Sequence, residues 1–147
     1  MTRLKALAGL ALSACLLAPS LALAGGVSGV AGTLDVSVVG ATASVPISVS
    51  TATTTQLVAL AAGKAITVSA WDIIAAAADT VTLEYGTGSN CGSGTTALTG
   101  AYPLAANGGL AKGSGVAPIL FVPAGNALCI VTSAATQASG SVSYAQF

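Results

Sequence analysis

The feature that most constrains this chain is a two-residue rhythm. From Thr80 to Tyr85, Val81, Leu83 and Tyr85 alternate with Thr80, Thr82 and Glu84. A period of two puts the first set on one face of a strand and the second on the other. The same rhythm runs through Thr33–Val39, where Leu34, Val36 and Val38 alternate with Thr33, Asp35 and Ser37. It recurs where Val45, Ile47 and Val49 alternate with Ser44, Pro46, Ser48 and Ser50, and Pro46 assigns that strand to a sheet edge. Gln56–Ala61 and Lys64–Asp72 flank a tight connection at Ala62-Gly63, and Ile119–Val122, Leu128–Thr132 and Val142–Phe147 complete the set. Ile73–Ala78 reads as an alanine-rich connection. About eight short strands with Gly, Pro, Asn and Ser between them predict an all-β sandwich or small barrel. Polar faces on the strands favour antiparallel sheets wetted on one side. The expected fold is therefore an antiparallel β-sandwich, jelly-roll-like.

The first residues follow another pattern. Arg3 and Lys5 precede an apolar run from Ala6 to Leu21, and Ala22-Leu23-Ala24 gives the small-x-small site of a signal peptidase. Residues 1–24 are thus expected to be a signal peptide and residues 25–147 a single exported domain, periplasmic, extracellular or on the cell surface. Two alternatives are a retained apolar anchor and lipidation at Cys15, because Leu12-Ser13-Ala14-Cys15 resembles a bacterial lipobox.

After residue 24 only Lys64 and Lys112 oppose Asp35, Asp72, Asp79 and Glu84, a net charge of −2. Charged residues are 5% of the whole chain, which leaves no basic cluster to neutralise phosphates and argues against nucleic acid. A surface of Ser, Thr, Gly and Ala has little charge repulsion, so self-association is the expected partner mode. No stable membrane span is expected in the mature chain. A membrane β-barrel is disfavoured because Tyr144 and the terminal Phe147 are three residues apart and point to opposite faces of a strand.

Gly86–Gly115 is too long for a hairpin and contains no strong strand signal. It opens with GTGSNCGSGTT around Cys91. The chain has no histidine, so Cys91 lacks the usual base, and the glycines precede neither the lysine nor the helix of a phosphate-binding loop. No catalytic residue, metal site or cofactor is assigned, and no enzyme activity is expected. Cys91 and Cys129 are the two cysteines left in an oxidising compartment, which predicts a disulfide. Closing about 38 residues, it contributes on the order of 4 kcal/mol. Loops of this length are usually functional or disordered, so Tyr102, Pro103, Asn107, Gly108 and Gly109 form the candidate binding or assembly loop. Asp72 and Asp79 read as solvated loop acids. Most of Trp71, Tyr85, Tyr102 and Tyr144 read as core and sheet-surface packing in preference to a sugar-stacking platform, with Tyr102, next to Pro103, the one to test for exposure.

LTGAYPLAANGGL (Leu98–Leu110) and PAGNALCIVTSAATQASGSVSYAQF (Pro123–Phe147), preceded by GKAITV (Gly63–Val68), carry a resemblance to small phage-encoded, virion-associated β-sandwich proteins. It extends over residues 56–147. The resemblance implies a non-enzymatic, oligomeric coat, decoration or tail-accessory module. The export signal departs from that class and leaves a second expectation, a secreted bacterial surface or adhesive protein that binds glycan or a host surface.

Overall fold

The computed structural model describes residues 41–115 and 117–147. The signal peptide, Cys15 and the expected strand Thr33–Val39 lie outside the described residues. Ten strands follow in order: β1 (Ala43–Val49), β2 (Thr54–Val58), β3 (Ile66–Ala75), β4 (Asp79–Thr87), β5 (Ser93–Ala97), β6 (Tyr102–Leu104), β7 (Gly109–Gly113), β8 (Leu120–Val122), β9 (Ala127–Thr132) and β10 (Ala138–Gln146). A short 3-10 turn, Ser89–Cys91, sits between β4 and β5. Among the described residues no helix is long and apolar enough to cross a membrane.

The strands form two antiparallel sheets. The first has the order β1-β10-β3-β7, with β8 also on β3; the second has β2-β9-β4-β5, with β6 also on β4. In the described sheet β1 is an edge strand, where Pro46 takes no N–H out of a central ladder. The core lies between the sheets. Ile47, Val49, Ile66, Val68, Trp71, Ile73 and Val142 of the first sheet meet Val58, Val81, Leu83, Leu128 and Ile130 of the second. Of these, Val81 and Leu83 carry the inward face of the β4 alternation, with Tyr85 half-buried beside them.

The inward set of β3 changes phase along the strand. Trp71, Ile73 and Ala75 are buried at odd positions, whereas Ile66 and Val68 are buried at even ones. The β3–β10 register shifts between Ser143 and Tyr144, opposite Ala70 and Val68. A bulge there absorbs one residue and turns the following side chains over.

Three expectations need correction. Gly86–Gly115 holds β5, β6 and β7. These strands are short, every residue of β5 is exposed and only Leu104 of β6 is fully buried, so too little buried face exists to impose an alternation that the sequence could display. Ile73 and Ile74 belong to β3, which leaves only Ala76–Ala78 as the connection, and Ile73 is buried. Asp79 is not solvated: it is 5% exposed. Its Oδ1 accepts hydrogen bonds from Thr80 N at 2.7 Å, Ser133 N at 2.9 Å, Ser133 Oγ at 3.0 Å and Ala134 N at 2.9 Å. The carboxylate thus ties the start of β4 to the turn after β9. Thr80 N and Ser133 N also bond to Ser133 Oγ and Thr80 O, so Asp79→Ala would strip the acceptor from Ala134 N and Ser133 Oγ and weaken the other two, and we expect a loss of about 2 kcal/mol in urea unfolding. A change below about 0.5 kcal/mol, the range of an ordinary surface substitution, would contradict this role.

Candidate functional site

Both sheets are interrupted along one edge. Strands β5 and β6 share the edge of β4, pairing with Glu84–Thr87 and Asp79–Val81 respectively. Between them, Leu83 O accepts from Leu98 N at 2.8 Å and Thr99 N at 3.2 Å, and Leu83 N donates to Thr99 Oγ1 at 3.0 Å. A side chain here replaces the missing backbone acceptor. Likewise β7 and β8 share the edge of β3, at Ala70–Ile74 and Ile66–Val68. Ser69, the residue between, accepts from Ser114 N at 3.4 Å, and Val68 O accepts from Ile119 N at 2.7 Å.

An open cleft of about 220 Å3 lies at these interruptions, lined by Trp71, Thr99, Tyr102, Lys112, Gly113, Ile119 and Leu120. Trp71 is 3% exposed and Tyr102 is half-buried; their ring centroids are 5.8 Å apart with planes tilted by 48°. The Lys112 Nζ stands over the Tyr102 ring, 5.9 Å from its centroid, within range of a cation–π attraction. In the β3–β7 register Lys112 lies opposite Trp71, and Asp72 lies opposite Ala111. Lys112 therefore shares the Trp71 face, while Asp72 points to the other side. The lining contributes one positive charge, two hydroxyls and two aromatic rings, and no carboxylate. Such a set accommodates an acceptor-rich or anionic group.

The structure divides the five residues singled out from the sequence. Tyr102 enters the cleft, and Pro103 is exposed on β6 opposite Thr80. Asn107, Gly108 and Gly109 belong to the corner that carries the chain from β6 in one sheet to β7 in the other. Asn107 has φ 57°, Gly108 N donates to Ala105 O at 2.8 Å, and Gly108 O accepts from Ala75 N at 3.0 Å. A Cβ on Gly109 would stand 2.8 Å from Ile73 O, so this position requires a backbone without a side chain. The corner is at the closed end of the β6–β7 excursion, and Tyr102 and Lys112 are toward its open end. Sequence reasoning missed Thr99, Lys112, Gly113, Ile119 and Leu120; its assignment of Trp71 to packing agrees with the burial of that ring in the core, from which it also borders the cleft. One signal was available: Lys112 is one of two cations after residue 24.

GTGSNCGSGTT has a structural role. Cys91 and Cys129 form a disulfide, with S–S 2.06 Å. Cys129 lies on β9 between the core residues Leu128 and Ile130, so it points away from the core, yet both cysteines are buried. The Gly88–Gly92 turn covers it from outside. Asn90 and Cys91 have φ 49° and 55°, and the Asn90 Oδ1 accepts from Gln56 N of β2 at 3.2 Å. Thr95 Oγ1 donates to Cys91 O at 2.8 Å. A Cβ on Gly86 would lie 2.9 Å from Ser93 O and 3.0 Å from Cys91 O, so the glycine lets the turn lie flat on β4. Among the described residues no group of three or more His, Cys, Asp or Glu is gathered to hold a metal. No protein-family model matches the chain, and neither a curated protein nor a solved structure matches it significantly.

Proposed function

We propose that this chain is an exported, disulfide-stapled jelly-roll module of the phage-virion type, a coat, decoration or tail-accessory-like protein that works by assembling with copies of itself. The strand order carries the jelly-roll part of this reading. With β5 and β6 taken as one interrupted strand, and β7 and β8 as another, each sheet has four strands. The chain then alternates between sheets at every connection except β4 to β5, as in an eight-stranded jelly roll built from two Greek keys. That architecture is used by viral capsid and lectin domains; the fold alone does not choose between them.

The surface supports assembly. On the outer face of the first sheet, Ser139, Ser141 and Ser143 of β10 stand beside Ser48, Pro46 and Ser44 of β1. Its charged neighbour Asp72 already accepts a hydrogen bond from Ser141 Oγ, so covering this face strands few charges. Phe121 is directly opposite Thr67, and Thr67 is directly opposite Ala145, which places Phe121 and Phe147 on that same face. They are 54% and 52% exposed, and Ile74 is 52% exposed. Export is supported by the residue 1–24 pattern and by a disulfide that an oxidising compartment would maintain. The second reading, a secreted surface protein that binds glycan, is favoured by the cleft.

Expressed with its leader, the protein is expected outside the cytoplasm, beginning at Gly25, and sedimenting at micromolar concentration as an oligomer. A species that sediments as a monomer throughout would overturn assembly. Retention of residues 1–24 would overturn the cleaved leader.

A further inference from the structure

We propose that the cleft between Trp71, Tyr102 and Lys112 binds a carboxylate-bearing sugar, a unit of the uronic-acid type within an acidic surface polysaccharide. This goes beyond the assembly reading and stands independently of it.

The polar groups of the cleft select for acceptors. Thr99 Oγ1 already accepts from Leu83 N, which leaves its own proton for another acceptor. Lys112 has only donors. It shares the Trp71 face of β7 and is turned away from Asp72, the acid nearest in register. Its contact in the cleft is the Tyr102 ring at 5.9 Å, so a carboxylate can approach the ammonium without displacing an ion-paired acid from the lining. No carboxylate lines the cleft to repel that ligand.

The remaining lining is apolar: the buried Trp71, the Tyr102 ring, Ile119 and Leu120. A hydroxylated ring has C–H faces for such walls and hydroxyls for Thr99 and solvent. A phosphate or sulfate would leave them unused. The volume, about 220 Å3, is below the ~300–1,000 Å3 of a drug-sized pocket. It therefore suits one ring of a longer polymer whose neighbours extend into solvent through the open mouth. The position also fits: both flanking edge strands are interrupted here, so a chain can run past the cleft without meeting a continuous strand.

The chain has a single tryptophan, so intrinsic fluorescence reports on this cleft directly. The probes are oligogalacturonate, the neutral galactose oligomer of equal length, and a short peptide with a free C-terminal carboxylate. Oligogalacturonate is expected to give a saturable change in Trp71 emission, and the neutral oligomer to bind about tenfold more weakly or worse, the size of one charged hydrogen bond. Lys112→Met is expected to lose about the same factor for the acid, and Lys64→Met, remote from the cleft lining, is expected to lose none. Should Lys112→Met fold poorly by circular dichroism, the wild-type salt dependence replaces it, because an exposed ion pair weakens as ionic strength rises. The proposal is overturned by no saturable response to the acid, by equal affinity for the neutral oligomer, by insensitivity to both Lys112 and salt, or by a peptide carboxylate that binds as tightly as the uronate. Sedimentation does not enter this readout, so failure here leaves the assembly reading in place, and a monomeric protein can still bind the sugar.

Discussion

Replacing Cys91 and Cys129 together by alanine is expected to lower the unfolding free energy by about 4 kcal/mol, from the loop-closure entropy of the unfolded chain. The disulfide joins residues 38 apart. For a domain of this size that corresponds to a fall in Tm of roughly 16–20 °C. The position of the bridge adds to the effect. The segment between the cysteines contains β5, β6, β7 and β8, the edge strands that bury least. Within them only Leu104 and Val122 are fully part of the core. Without the bridge, the turn over β9 is held by the Asn90 and Thr95 hydrogen bonds, and the open edge of β4 is held by backbone pairing. Hydrogen exchange in β5 is therefore expected to accelerate before that in β9 and β10, the low-stability end opening first. The bridge is also shielded, with Cys91 1% and Cys129 0% exposed, so a thiol reductant is expected to cleave it slowly in buffer and rapidly in denaturant. A double variant within about 1 kcal/mol of the parent, with unchanged exchange in β5, would contradict this account.

The contrast between these edge strands and the central ones explains what the sequence displays. Thr80–Tyr85 is legible because β4 has a neighbour on each side and a buried face, so Val81 and Leu83 must be apolar. β5 is Ser-Gly-Thr-Thr-Ala; it exists because β4 offers unpaired backbone groups, and a backbone partner leaves no mark in side-chain pattern. Cys91 and Cys129 were legible by elimination, because the expected leader sets Cys15 aside and leaves one pair. Asp79 was not, because three of its four hydrogen bonds come from Ser133 and Ala134, more than fifty residues away. Tyr102 was singled out for the length of its loop, but its partners depend on register. Trp71 and Lys112 meet only because β7 adds to β3 at Ala70–Ile74, and Thr99 joins them because β5 and β6 leave a gap on β4. Alternation reports which face of a strand is buried. It does not report which two edges are broken at the same height.

Gly140→Ala is the second substitution expected to have a large effect, and it tests the closeness of the central strands directly. Strand β10 pairs on both sides, with Ile47 of β1 and Ile73 of β3 opposite Gly140. A Cβ at this position would stand 2.0 Å from Asp72 O, 2.8 Å from Asp72 C and 2.9 Å from Ile73 Cα. All three are backbone atoms, which cannot rotate away as the end of a side chain can. To admit one methyl group the β10–β3 ladder must separate, and β1 must move with β10 or part from it. Overpacking a core costs typically 1–3 kcal/mol through side-chain shifts; here the ladder itself yields, and we expect a loss of about 3 kcal/mol or more in urea unfolding. Gly100→Ala is the matched comparison. Nothing lies within 4 Å of its Cβ position and its φ is not in the left-handed region, so the same methyl group restricts the unfolded chain and stabilises by about 0.4–1 kcal/mol. Opposite signs for one chemical change would locate the effect in the β10–β3 approach. If Gly140→Ala were as mild as Gly100→Ala, the two strands would not be packed backbone to backbone.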